Sequence, residues 1–161
     1  MEPRAPVSAA TQPGAATLIR RAVAADAEQI ARLGAQFARP VEVLKLRARI
    51  AELQALPAYY LAVAEESAAS LLGWIQVERR LIVAEARERA EIMGLVVDAA
   101  ARRRGIGTAL VHAAQQWALA AHLPQLLVRS NVVRDASHAF YAGLGFSRVK
   151  TQHVYAKSLL A

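Results

Sequence analysis

The sequence predicts a single α/β domain in which strands alternate with helices, and three stretches carry that prediction. Residues 91–121 read as an apolar strand, a tight Arg/Gly turn and an amphipathic helix. Residues 126–146 read as a second apolar strand, a polar break and another helix. Between residues 17 and 77, one strand, two helical stretches and two more strands follow in turn, each with its own hydrophobic period. Such alternation is how an α/β domain covers a sheet with helices. At 161 residues with 55% apolar side chains, the chain can bury a sizeable core within one domain.

The elements follow in order. Met1–Ala16 is rich in Ala and Pro with little apolar periodicity, so residues 1–16 are expected to be a disordered tail and residues 17–161 the domain. Thr17–Arg21 is a first strand. Asp26 lies at or near the next helix start, with Ile30, Leu33, Gly34 and Phe37 on one face. Pro40 restarts a second helix, which places Val43, Leu46, Ile50 and Leu53 at helical spacing and ends before Pro57. Tyr59–Ala64 and Leu71–Val77 are strands joined by a polar turn over Glu65–Ser70. Arg79–Ala90 reads either as an extension of the third strand or as a charged loop. The fourth strand is Ile92–Val97, ended by Asp98, and the helix after the Arg/Gly turn runs from about Thr108 to Ala121. Leu126–Val128 forms a fifth strand that runs into Arg129, Ser130 and Asn131. Arg148–Val149 and Val154–Ala156 suggest a closing pair of strands. Neither a repeat nor a second domain is legible.

Composition excludes several classes. No apolar run approaches the roughly 20 residues that span a bilayer, and Met1–Thr17 has no apolar core of a secretory signal. With no cysteine there is no disulfide framework, thiol nucleophile or thiolate metal site, which is compatible with the cytoplasm. His112, His122, His138 and His153 fall in different elements without H-x-x-x-H spacing, so no metal is expected. No Ser sits in a G-x-S-x-G elbow. The net charge of +7 raises nucleic acid as a partner, but the basic residues are spread out. Arg79, Arg80, Arg87 and Arg89 interleave with Glu78, Glu85, Glu88 and Glu91, and only Arg102, Arg103 and Arg104 cluster. Nucleic acid is therefore not the expected partner.

That cluster belongs to Arg102-Arg103-Arg104-Gly105-Ile106-Gly107 at a helix start. Glycines there allow positive φ and a close backbone approach. The first helical turn offers unpaired N–H groups and the positive end of the helix dipole, which suits a pyrophosphate. Adjacent guanidinium forks add charge for phosphate oxygens. A Walker loop is excluded because no Lys follows either glycine, and a dinucleotide fingerprint because Leu110 stands where the third glycine belongs.

What remains is Arg102-x-x-Gly105-x-Gly107 directly after an L-V-V strand. This resembles the acetyl-CoA-binding motif of the GNAT superfamily of N-acetyltransferases. The second block, Leu126–Asn131 followed by Arg134-x-x-Ser137-His138-x-Phe140-Tyr141 and Gly143-Leu144-Gly145-Phe146, resembles the second half of the GNAT core at the family's spacing. Ser137 stands where many relatives have Ala. The resemblance covers about Leu18 to Leu160. It implies a mixed central sheet flanked by helices on both faces, with the fourth and fifth strands splayed to admit pantetheine.

The resemblance also implies acetyl transfer from acetyl-CoA to a primary amine. Cofactor contacts are expected from Leu95, Val96 and Val97, from Arg102, Arg103, Arg104, Gly105, Ile106, Gly107 and Thr108, and from Asn131 and Ser137. Leu95 and Val97 are expected to face the cofactor, since side chains alternate along a strand. The tetrahedral oxyanion needs a fixed donor, which the family takes from a backbone N–H of the fourth strand. Gly94 within that strand fits a bulge or a close backbone approach. Tyr141 matches the family Tyr that protonates the departing thiolate, and packing beside Phe140 is its plain alternative. An amine is mostly protonated near neutral pH and needs a base. Glu91 is the carboxylate nearest in sequence, with an exposed pair to Arg87 or Arg89 as its alternative. The acceptor is expected to be a small-molecule amine. A protein amine, or a non-catalytic acyl-CoA sensor, stands as the alternative, and a homodimer stays open.

Overall fold

The computed structural model describes residues 17–38, 40–67 and 70–159. The expected tail at 1–16 lies outside these residues. The described chain falls into two compact units that divide after Val128.

The first unit is one five-stranded mixed sheet in sequence order. Its strands are β1 (Leu18–Arg21), β2 (Tyr59–Ser67), β3 (Ser70–Ile82), β4 (Arg87–Val97) and β5 (Leu126–Val128). All neighbours are antiparallel except β4 and β5, which run parallel. The helices are α1 (Ala27–Gly34), α2 (Val43–Ala55) and α3 (Ile106–Ala120). Leu61, Val63, Leu71 and Val96 form a core with Ile30 and Leu33 of α1 and Ile50 of α2. Their alternate neighbours face the other way: Tyr60 stacks on Trp117 of α3 with ring centroids 5.6 Å apart. Helices thus cover both faces, as expected from a sheet whose two sets of alternating side chains are both apolar.

Arg79–Ala90, open in the sequence, is strand on both sides of a short 3-10 turn at Val83–Glu85. Cross-strand neighbours decide this: Arg79 on β3 bonds Glu88 on β4, and alternation of opposite charges suits a solvated ribbon. The expected polar turn at Glu65–Ser70 is shorter, because β2 runs to Ser67 and β3 begins at Ser70. Phe37 is not on the inner face of α1. The helix ends at Gly34, and Phe37 is largely exposed beneath the guanidinium of Arg102, 5.2 Å from its ring centroid.

The second unit, residues 129–161, contains α4 (Asp135–Gly143). The closing strands expected at Arg148–Val149 and Val154–Ala156 are not formed. The segments are only two and three residues long, the first with Val149 as its one apolar residue, separated by Lys150, Thr151, Gln152 and His153, and their large side chains are exposed, Tyr155 at 90%. A strand that buries neither face and has no ladder partner has nothing to hold it extended.

One polar knot ties the start of the sheet together. Arg20 on β1 holds Asp26 with a two-pronged contact, at 2.8 and 2.9 Å, and reaches Glu65 on β2 at 2.5 Å. The Val23 N–H also donates to Asp26, at 2.7 Å. Burial pushes the Asp26 carboxyl up, but Arg20 and the Val23 N–H together hold it below its ordinary value. Asp26 is therefore spent here rather than as a simple helix cap. A depressed carboxyl stabilises the fold fully above its unfolded pKa and loses that contribution as pH falls through the folded value. Replacing Asp26 by Ala should cost about 2–4 kcal/mol, because Arg20 is left without its main partner. Thermal melts should also show a shallower loss of stability below about pH 4 in Asp26→Ala than in the parent chain.

Candidate active site

β4 carries the centre of the site. Apart from Met93 it pairs with β3 along its length, but with β5 only at Ala90↔Leu126, Glu91↔Leu127 and Ile92↔Val128. From residue 93 to 97 its β5-side edge has no strand partner among the described residues. Unpaired backbone N–H and C=O groups on such an edge are available to a ligand. The fourth and fifth strands thus stop pairing where a splay is expected.

The β3–β4 ladder contains one irregularity. Gln76 pairs with Gly94 and Val77 with Ile92, which leaves Met93 without a partner. This is a β-bulge, and it changes which side chains share a face. Glu91 and Gly94 are three residues apart and would face opposite ways along a regular strand. Through the bulge both lie on the face of Glu78 and Gln76, their partners on β3. Trp74 shares that face and packs against Gly94: a Cβ added there would lie 2.8 Å from the indole Cζ3 and 2.9 Å from Cη2. The bulge itself falls on Met93, next to Gly94, and the close approach at Gly94 is made by the Trp74 ring rather than by a backbone.

Glu91 is only 3% exposed. Arg89, on the same strand and face, approaches its carboxylate at 3.6 Å, and the Arg89 Nε is buried without a hydrogen-bond partner. Opposite, Glu78 accepts a 3.5 Å bond from the Tyr59 hydroxyl and has Arg80 at 3.5 Å. Glu91 is thus a buried carboxylate near the bulge, beside Arg89, and is not the exposed residue of its alternative. Leu95 and Val97 oppose Ile75 and Gly73 on the α3 side, where Leu110 would meet a Cβ placed on Gly73 at 3.2 Å. Val96 packs into the α1–α2 core, so its side chain is committed and only its backbone remains for a ligand.

The Arg/Gly turn follows β4 directly and is anchored by Asp98. The Asp98 N–H donates to the Leu72 carbonyl at 2.8 Å, and its carboxylate accepts from Ala100 N–H and pairs with Arg32 of α1 at 2.9 Å. Arg32 holds that carboxyl below its ordinary range. Arg103 and Gly105 then take left-handed conformations, with φ of 61° and 79°. Gly105 is the N-terminal cap of α3 with no side-chain cap, and a Cβ added to it would meet nothing within 4 Å. The Gly105 carbonyl accepts the Ala109 N–H, so the N–H groups of Ile106, Gly107 and Thr108 precede the first helical bond. These features fit a pyrophosphate. Two of the three arginines already have protein contacts. Arg102 stacks over Phe37, and Arg104 bonds Glu66 at 2.5 Å. The Arg104–Glu66 pair is exposed, hence weak and exchangeable for a phosphate.

The second unit holds Asn131, Ser137 and Tyr141. Asn131 Oδ1 accepts the Val133 N–H at 3.1 Å, and its carbonyl accepts from the Arg134 N–H and contacts His138 Nε2. Its side-chain oxygen is thus used locally. Ser137 is half-buried in the first turn of α4. The Tyr141 ring packs edge-to-face between Phe140 and Phe146, with centroids 5.1 and 5.5 Å away. Burial pushes its phenol up, partly offset by the charge of Arg134. A phenol displaced this way stays protonated near neutral pH, as a proton donor requires.

Sequence reasoning missed Trp74 and Glu78. Their spacing with Gln76 at every second residue is visible, but which face they share with β4 depends on the bulge. Among the described residues no group of three or more His, Asp or Glu is placed to hold a metal ion, and no helix is long and apolar enough to cross a membrane.

Comparison with known proteins assigns the family. The model of the acetyltransferase (GNAT) family matches residues 25–146, and the chain belongs to that family. It is an enzyme, an N-acetyltransferase that uses acetyl-CoA as cosubstrate. A search of curated protein sequences returns no match. Among solved structures, one described as a transcriptional regulator from Bacillus halodurans C-125 is 25% identical. It aligns over 88% of this chain and 100% of its own, with a TM-score of 0.77. The aminoglycoside N-acetyltransferase AAC(6')-Iy, in complex with CoA, is 17% identical over 91% of this chain and 98% of its own, with a TM-score of 0.81. The aminoglycoside 6'-N-acetyltransferase AAC(6')-IG from Acinetobacter haemolyticus is 19% identical over 88% and 99%, with a TM-score of 0.74. At these identities the two aminoglycoside enzymes share the fold.

The turn assignment has a direct test. Gly105→Val meets no steric obstacle within the protein but strains a left-handed backbone by about 1–2 kcal/mol, so the variant should fold with a modestly lower Tm. It should lose coenzyme A affinity about tenfold or more, equivalent to roughly 1.4 kcal/mol. Calorimetric titration of the folded variant checks this, and unchanged affinity would remove the turn from the cofactor site.

Proposed function

We propose that this chain transfers acetyl from acetyl-CoA to the primary amine of a small molecule by direct attack through a tetrahedral intermediate. The observation that carries the reading is the bulge in β4, which sets the buried Glu91 carboxylate on the face of Gly94, beside an unpaired strand edge. The family match spans the boundary at Val128, which supports reading residues 17–161 as one catalytic domain. The naming of aminoglycosides in the structural neighbours supports a small-molecule acceptor.

In this mechanism the first turn of α3 and the Arg102–Arg104 guanidinium groups hold the pyrophosphate. The thioester carbonyl lies against the unpaired edge of β4, where a backbone N–H receives the developing oxyanion. A fixed donor of this kind stabilises charge that appears only in the transition state. Glu91 takes the amine proton, directly or through a water, so the free base attacks the carbonyl carbon. Collapse of the intermediate breaks the carbon–sulfur bond, and Tyr141 donates its phenolic proton to the thiolate.

Two substitutions test the proton-transfer roles. Tyr141→Phe keeps the ring packing but removes the donor, so turnover should fall by about 10²-fold with little change in acetyl-CoA affinity. Glu91→Gln should lower kcat/KM similarly at neutral pH and recover as pH rises and free amine accumulates. The readout is thiol release across a panel of small amines and Lys- or N-terminal peptides. Peptide-only turnover would move the acceptor to protein.

A further inference from the structure

The face that Glu91 and Gly94 share spans three strands, and its side chains fall into rows across β2, β3 and β4. Directly opposed residues share a face in an antiparallel sheet, as do residues two apart on one strand. The rows are Val63, Trp74 and Val96, then Leu61, Gln76 and Gly94, then Tyr59, Glu78 and Glu91. The first row belongs to the α1–α2 core or packs against it, and Leu61 of the second row is buried in that core. The third row is polar throughout. Gln76 therefore stands half-buried at the border between core and polar face. Its amide has no hydrogen-bond partner among the described residues. Its cross-strand neighbours explain this, because Leu61 on one side and Gly94 on the other offer no polar side chain.

An unpaired amide one row from the candidate base is placed to read the group beside the acceptor's amine. The amine must reach Glu91 to lose its proton, and the row of Gln76 lies about 7 Å away along the strands. A molecule with an amine and a hydroxyl on adjacent carbons, hydrogen-bonded at each end at about 2.9 Å, spans a gap of this size. Charge decides which group meets the amide. Glu78 and Glu91 have Arg80 and Arg89 as partners, and these lie in the next row outward, away from Gln76. A carboxylate or phosphate at Gln76 would face two carboxylates with only a neutral amide to hold it. A hydroxyl can donate to the amide oxygen or accept from its NH2, whichever way the amide is turned. A methyl group there would leave the amide desolvated and unpaired, which costs more than the bond itself is worth. We infer that Gln76 is a specificity-determining residue whose amide binds a hydroxyl on the carbon next to the amine-bearing one, so that 1,2-amino alcohols are the preferred acceptors.

The inference rests on the acetyl-transfer reading above, and the experiment separates the two. Thiol release with the full chain and acetyl-CoA is compared for ethanolamine against propylamine and for trans-2-aminocyclohexanol against cyclohexylamine. Ethylenediamine and β-alanine serve as the cationic and anionic counterparts. With kcat/KM expressed per free amine, each amino alcohol should exceed its deoxy analogue at least tenfold and exceed both charged counterparts. In Gln76→Leu the preference within each pair should fall to twofold or less, with acetyl-CoA affinity unchanged. The variant should melt no lower than the parent, because the amide it removes bonds no described residue. Equal kcat/KM within each pair in the parent, or a preference that survives Gln76→Leu, overturns the inference and leaves acetyl transfer standing. So does a lowered Tm with equal loss on both members of each pair, which assigns Gln76 to the fold. Absence of turnover with every amine, while acetyl-CoA binds, removes the transfer reading and this inference together.

Discussion

The extra residue in β4 is the constraint on which the rest of the site depends. Without the Met93 bulge, Glu91 would face away from Gly94, and the carboxylate nearest the unpaired strand edge would point toward the α3 side. With the bulge, one face carries in succession an indole, a glycine, two carboxylates and three arginines. A bulge also increases local twist, and β4 stops pairing with β5 at Ile92, immediately before Met93. The open edge and the placement of the candidate base therefore occur at the same point of the chain.

The close approach of Trp74 to Gly94 shows how tightly this point is specified. A methyl group at residue 94 would have to displace a large, partly buried ring that rests on the α1–α2 core. Displacing that ring would disturb core packing, where even one methylene is felt. The glycine is thus required by packing, whereas Gly105 is required by backbone conformation, since space around it is open and its φ is 79°. Two glycines eleven residues apart serve different physical needs in one site.

Electrostatic anchors hold the frame around that face. The Arg20–Asp26–Glu65 knot joins β1, the start of α1 and β2. Arg32 and Asp98 join α1 to the end of β4, just before the cofactor turn. Arg32 also donates to the Leu71 carbonyl, and the Gln29 side chain accepts from the Leu71 N–H. One face of α1 therefore buries Ile30 and Leu33 while polar side chains fix its position at the edge of β3. Much of the basic excess is distributed in this way through structural pairs rather than gathered in one patch.

The order of elements, the helix after the Arg/Gly turn and the family itself were legible in the sequence, because local periodicity, turn chemistry and motif spacing depend on neighbours along the chain. The left-handed glycine cap and the uncapped helix start at Ile106 follow from the same local rules. The length of the β3–β4 ribbon was not legible, since its alternating charges are equally suited to a loop until cross-strand partners are known. The closing strands at 148–149 and 154–156 failed for the complementary reason: apolar residues suggest a strand, but only a paired edge makes one. The face of Glu91 was decided by tertiary structure alone. Strand register sets it, and one unpaired residue, Met93, reverses the outcome while leaving the local sequence pattern the same.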